Sequence, residues 1–293
     1  MMGSLGSLVG VLVTGTPFSE FFVIMSVIVS SMGLSILVIS PLTFWVSVAS
    51  YRRGLDPDVL VYPVISTIAD LIITALYMGV LYIVLLSPGA SLLILNLINV
   101  VFVGVVLLSV RKIYREKEFV NTVKEFMMTL VIVTIIVNIT GTALNRITES
   151  IGRRPEIFMM YPALIDTVGD VGSIIGSTAT TKMALGVMAT EFSAMTTHWV
   201  EIGSAWLASI TMFVLYALTS AAVYGIGKFP GLLEEVMTTN LIVVPIIIVI
   251  SFSTAIVTRK RGLDPDNFII PIETSISDGL TTIGLLIALT ILV

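Results

Sequence analysis

The chain has 293 residues, 56% of them hydrophobic and 12% charged, with a formal net charge of -4 and a mean hydropathy of +1.08. Soluble domains carry about 25% charged residues, so an ordinary soluble domain is excluded, and the small net charge with nearly all basic residues in short loops gives no sign of a nucleic-acid partner. Cysteine is absent, which rules out disulfides and thiolate metal sites, and the single histidine, His198, rules out a histidine-based one.

Apolar runs occupy residues 1–15, 20–51, 59–86, 91–110, 124–145, 159–189, 203–227, 240–258 and 267–293. A helix rises 1.5 Å per residue and must cover a hydrocarbon core of about 30 Å, so these lengths predict a polytopic, all-α membrane protein. Residues 1–15 lack the basic start and cleavage site of a signal peptide. Segment 20–51 is long for one crossing and tight for two, with Ser30-Ser31 or Ser40-Pro41 as possible breaks. The most basic loop, 111–124, carries Arg111, Lys112, Arg115, Lys117 and Lys124, and the positive-inside rule puts it in the cytoplasm. Counting spans from there places Arg52-Arg53 and Arg259-Lys260-Arg261 on the same side. Arg146, Arg153, Arg154 and Lys228 then face outward, with Arg153-Arg154 as the dissenting pair, and Lys182 lies within a span. Trp199 and Trp206 fall near a cytoplasmic boundary and Tyr161 near the outer one. His198 reads as an interfacial loop residue.

Two stretches 208 residues apart are copies of one another. The first runs Arg53-Gly54-Leu55-Asp56-Pro57-Asp58, then Pro63, and ends at Asp70. The second runs Arg261-Gly262-Leu263-Asp264-Pro265-Asp266, then Pro271, and ends at Asp278. Over these 18 positions 9 are identical. The region 124–293 makes a complete five-span unit, and five is odd, so a parallel tandem copy needs one extra crossing, which 91–110 supplies. The organisation expected is a first repeat at 1–90, a linker helix and basic loop at 91–123, and a second repeat at 124–293. The first repeat is shortened and starts inside its second span, because Gly3, Gly6, Ser7 and Gly10 align with Gly169, Gly172, Ser173 and Gly176 at a smaller offset.

Each copy embeds a carboxylate at membrane depth, which costs about 2.5–3.5 kcal/mol on insertion scales and so points to function. Pro63, Thr67 and Asp70 share one helix face, as do Pro271, Ser275 and Asp278, while Ser66 and Thr274 add hydroxyls four residues before each aspartate. Carboxylate and hydroxyl oxygen form the ligand set of a hard cation such as Mg²⁺ or Ca²⁺. Asp56 and Asp264 suit N-caps with proline at the first helical position, and they equally suit a cytoplasmic mouth that gathers cations. Glu273 breaks the symmetry, since its partner is Ile65, and either tunes one side of the site or faces a water-filled vestibule. On the glycine-rich stretch Gly169 to Gly176, small residues allow close packing, but Asp166 and Asp170 on one face exceed what packing needs, and Lys182 is placed to offset part of their charge. Glu191, Glu201, Glu234 and Glu235 read as solvated loop ends.

These motifs resemble the MgtE membrane domain in the duplicated form of solute carrier family 41. The resemblance rests on Gly54-Leu55-Asp56-Pro57 with Asp70, on Gly262 to Asp278, and on Gly169 to Ser173. It implies two parallel five-helix-type repeats with a Mg²⁺ pore at their interface, in which Asp70 and Asp278 match the pore aspartate. The expected partners are Mg²⁺ as substrate ion, other divalent cations and the lipid bilayer of the cell membrane, with the monomer as the working unit. The chain departs from the family pattern at Asp170, where a Gly-Asn pair is typical, and the sequence shows none of the cytoplasmic Mg²⁺-sensing domains of bacterial relatives. Two rival readings are a proton- or cation-coupled carrier for another solute and an intramembrane aspartyl protease. The protease is disfavoured because Asp70 and Asp278 sit in matching turns and Thr167-Val168-Gly169-Asp170 lacks the first glycine of a Gly-x-Gly-Asp signature.

Overall fold

The computed structural model describes residues 18–86, 88–151 and 154–292. Within them the chain folds into helices α1 (Phe18–Arg52), α2 (Pro57–Leu86), α3 (Pro88–Ile113), α4 (Lys117–Ile151), α5 (Pro155–Ala184), α6 (Trp199–Tyr224), α7 (Phe229–Lys260) and α8 (Ile269–Leu292), joined by short 3₁₀ turns and without strands among the described residues. Eight helical stretches are long and apolar enough to cross a membrane. The protein is therefore an all-α, multi-pass membrane protein. Segment 1–15, including Gly3, Ser4, Gly6, Ser7 and Gly10, lies outside the described residues.

The ambiguous segment 20–51 forms a single helix of 35 residues that runs through Pro41. A proline inside a helix sacrifices one hydrogen bond. Breaking the chain open in hydrocarbon would orphan several backbone groups, so the continuous helix wins.

By contacts the chain divides into two compact units, 1–123 and 124–293. In the first, α1 packs against α2 and α3 around Val27, Val80, Val84 and Leu95. A polar seam joins α1 to α3. Ser26 Oγ donates to Asn96 Oδ1 at 3.1 Å and Ser30 Oγ to Asn99 Oδ1 at 2.9 Å, while Asn99 Nδ2 donates back to Ser26 Oγ at 2.9 Å. Interhelical bonds of this kind contribute roughly 0.6–2 kcal/mol each in a membrane protein.

In the second unit α5, α7 and α8 pack on one another and α6 lies against α5 and α7. The core holds Leu164, Ile175, Phe213, Ile247, Phe252, Ile269 and Leu285. Helix α4 meets this bundle through Glu125 near one end and through Thr140, which faces Gly279.

The two ends of α5 are held by ion pairs. Arg154 reaches Glu235 through two bonds of 2.6 and 3.2 Å and Glu156 at 3.1 Å, and Lys228 lies 3.4 Å from Glu156. Burial works against the Arg154 charge, but the hydrogen bonds and charges of Glu235 and Glu156 outweigh it and raise its affinity for the proton. Glu235 is thus no solvated loop end, and Arg154 is matched locally. Arg154→Met would strand the carboxylate of Glu235, which is only 6% exposed. We expect a loss of about 2 kcal/mol, below the 3–5 typical of fully buried pairs because Arg154 keeps some water. Thermal unfolding of the detergent-solubilised protein checks this, and an unchanged midpoint would refute it.

At the other end of α5, Lys182 pairs with Glu201 at 2.5 Å. Lys182 is therefore committed to Glu201 rather than to Asp166 and Asp170, and Glu201 is not a plain solvated end. His198 is fully buried, with Nε2 at 3.1 Å from Thr178 Oγ1 and its ring beside Phe252. His198 lies in the turn between α5 and α6, and the 3₁₀ turn Phe192–His198 folds its imidazole inward, beside Thr178.

Candidate functional site

The two Gly-Leu-Asp-Pro-Asp turns adopt the same backbone. Gly54 and Gly262 take left-handed φ values of 72° and 69°, which an L side chain resists. The following amide closes the preceding helix in both, Leu55 N donating to Ser50 O at 3.1 Å and Leu263 N to Thr258 O at 3.0 Å, the long bond of a Schellman ending. Asp56 Oδ1 then accepts from the Asp58 amide at 3.0 Å, and Asp264 Oδ1 from the Asp266 amide at 3.2 Å. Pro57 opens α2 directly, whereas Pro265 opens a 3₁₀ turn that precedes α8. Both aspartates act as caps, and the exposed positions of Asp56 and Asp264 leave them able to meet cations as well. Only the second turn carries a brace from α4: Glu125 Oε2 accepts from the Asp264 amide at 3.1 Å and from Asn267 Nδ2 at 2.9 Å. The first copy has Val59 where Asn267 stands.

Beyond each turn the hydroxyls bond back along their own helix. Thr67 Oγ1 and Ser66 Oγ donate to Pro63 O at 2.9 and 3.3 Å. Ser275 Oγ donates to Pro271 O at 2.7 Å, and Thr274 Oγ1 to Ile270 O at 3.0 Å. A hydroxyl whose hydrogen goes to a carbonyl presents oxygen lone pairs, the kind of group a cation requires. Asp70 and Thr67 are exposed, while Asp278 is half-buried, Ser275 buried and Thr274 exposed. Around Asp278 the structure adds two groups that the sequence does not single out for the site. Thr282 Oγ1 donates to the Asp278 carbonyl, and the hydroxyl of Tyr161 on α5 pairs with Thr282 within reach of the Asp278 charge.

On α5, Asp166 and Asp170 both act on Tyr216 of α6, whose hydroxyl lies 3.0 Å from Thr167 Oγ1. The two acidic residues are half-buried. Tyr216 belongs to no sequence motif, and only the packing of α6 on α5 reveals it.

Glu273 is set apart from these carboxylates. It lies five residues before Asp278, about 140° around the helix at 100° per residue. Its side chain is fully buried against Gly172 and Gly176 of α5 rather than facing a water-filled vestibule. Among the described residues no three His, Cys, Asp or Glu side chains gather where they could hold a metal ion.

A family model described as MgtE, divalent cation transporter, matches residues 1–80 and 161–288, more than two-thirds of the chain. No curated protein and no solved structure matches it.

Proposed function

The chain belongs to the MgtE family of divalent cation transporters, and from that membership we propose that it carries Mg²⁺ along a path to which each repeat contributes one carboxylate, Asp70 and Asp278. As a member of a transporter family it is not an enzyme. The observation that carries the reading is the duplicated unit itself: the same capped, glycine-reversed turn, then hydroxyls bonded to the proline carbonyl, then an aspartate on the same helix face. Mg²⁺ would pass largely hydrated, held by the carboxylates through water and by the lone pairs of Thr67, Ser66, Ser275 and Thr274. Asp170 and Asp166 add negative charge within the second repeat, and Asp56 and Asp264 concentrate cations at the cytoplasmic mouth. In this reading residues 1–90 and 124–293 are the repeats, 91–123 links them, the loop 111–124 faces the cytoplasm across the cell membrane, and one chain is the working unit.

Mg²⁺ uptake into proteoliposomes of the purified protein tests this. Uptake that unlabelled Co²⁺ competes away supports the proposal. A folded, inserted protein that passes no Mg²⁺ under either a Na⁺ or a proton gradient overturns it.

A further inference from the structure

Among the described residues α4 is the least closely packed helix of the second unit. Glu125 ties its start to the turn at Asp264, and Thr140 further along faces Gly279. Between these two levels α4 and α7 leave a groove of about 270 Å³. Met128 and Ile132 of α4 line it, with Thr254 and Val257 of α7 and, from beyond the turn, Phe268 and Ile272.

The groove runs along α7 rather than across it. Ser253 and Arg261 both line it, and the eight residue steps between them span about 12 Å of helix at 1.5 Å each. The hydroxyls of Ser253, Thr254 and Thr258 donate to carbonyls of their own helix, at Val249, Ile250 and Thr254. The other side chains along this length are apolar. A buried water needs about two to four polar partners, whereas a hydrocarbon chain needs none. The volume falls short of the roughly 300 Å³ at which pockets begin to enclose a drug-sized molecule, so a slender occupant fits and a ring system does not.

One end of the groove is charged. Arg261 stands just past the end of α7, exposed, and follows Arg259 and Lys260. Among the described residues none of these three side chains has an ion pair. An arginine fork matches the oxygens of a phosphate, and a cation at the membrane surface attracts anionic lipid. Helix α7 is long and apolar enough to cross a membrane, so the path from Arg261 to Ser253 leads from its surface into its hydrocarbon. A phosphate-matching cation at the surface with an apolar channel leading inward has the outline of a lipid.

We propose that the groove between α4 and α7 is the seat of an anionic phospholipid, with one acyl chain along Val257 and Thr254 and the phosphate on Arg261. The chain joins α4 to the bundle where protein contacts are few, next to the Glu125 brace on the second Gly-Leu-Asp-Pro-Asp turn. The seat stands on the groove and its charged end, whichever ion the protein carries.

The test uses phosphatidylglycerol with a photoreactive diazirine in one acyl chain, as a minor component of phosphatidylcholine liposomes holding the purified protein. After illumination, peptide mass spectrometry should find the label on Met128, Ile132 and Val257 in excess over Leu207 and Leu215, exposed apolar residues of α6. Arg261→Gln should lower the groove label about fivefold, the factor for one cation against an anionic headgroup. Arg261→Lys should keep most of it. Arg259→Gln removes the same charge outside the lining and should change the label by less than about twofold. Val257→Phe fills the groove and should lower the label from phosphatidylglycerol and from equally tagged phosphatidylcholine alike. Label spread evenly over the exposed apolar faces means annular lipid only and overturns the seat, as does an equal loss in Arg261→Gln and Arg259→Gln. Groove label with no preference for phosphatidylglycerol over phosphatidylcholine overturns the anionic headgroup.

Discussion

Asp278→Asn is expected to lower Mg²⁺ flux into proteoliposomes by about tenfold or more, and Asp70→Asn by a smaller factor. A doubly charged ion held through one water, at about 5 Å in a medium as polarisable as bulk water, gains about 1.7 kcal/mol from one carboxylate, somewhat more than a factor of ten in occupancy. Asparagine keeps the volume and removes the charge, so folding is little affected, and the hydroxyls of Thr67 and Ser275 remain bonded to their proline carbonyls. Asp278, being half-buried, loses less of its field to solvent than exposed Asp70, so its substitution should be the more severe. Native rates in both variants would remove the two aspartates from the path. A loss confined to one of them would mean that the path is not built on both repeats.

Gly176→Ala is expected to destabilise the second unit by about 1–3 kcal/mol, the usual cost of overpacking. The new methyl would lie 2.5 Å from Ile269 Cγ2 and 2.9 Å from Glu273 Oε1, where atoms cannot approach. Ile269 is β-branched and fully buried, so it has little freedom to turn aside. Gly203 on α6 is the matched control, since a methyl there meets nothing within 4 Å. Gly203→Ala should raise stability by up to about 1 kcal/mol through helix propensity. Thermal midpoints in one detergent compare the two, and a native midpoint for Gly176→Ala would refute the close packing of Glu273 against Gly176.

Much of the architecture is legible in the sequence because the bilayer imposes it. Apolar runs of helical length, the basic loops between them and the proline-capped turns at Asp56 and Asp264 all follow from local rules. Those rules do not say which face of one helix meets which face of another. Gly172 and Gly176 announce a close approach, and Glu273 announces an anomaly, but only the register of α8 on α5 joins them. His198 shows the same limit: nothing in the local sequence says that its ring turns inward, against Thr178 20 residues earlier. Tyr161 and Tyr216 look like ordinary membrane aromatics until Thr282 and Thr167 are found against their hydroxyls. The pairing of Glu201 and Glu235, which read locally as solvated loop ends, is hidden for the same reason, because ion pairs such as Arg154–Glu235 join residues 81 positions apart.

The seam of Ser26, Ser30, Asn96 and Asn99 bears on how the chain is made. Lipid does not distinguish one apolar helix face from another, so hydrophobicity alone gives α3 no preferred rotation about its axis once it has left water. A carboxamide in hydrocarbon does distinguish, because few partners are available to it there. Helix α1 is synthesised before α3 and already carries the two serines, placed one turn apart to meet asparagines spaced by three. The earlier helix can thus serve as the mooring at which the later one stops turning, and the order of translation supplies each partner before it is needed.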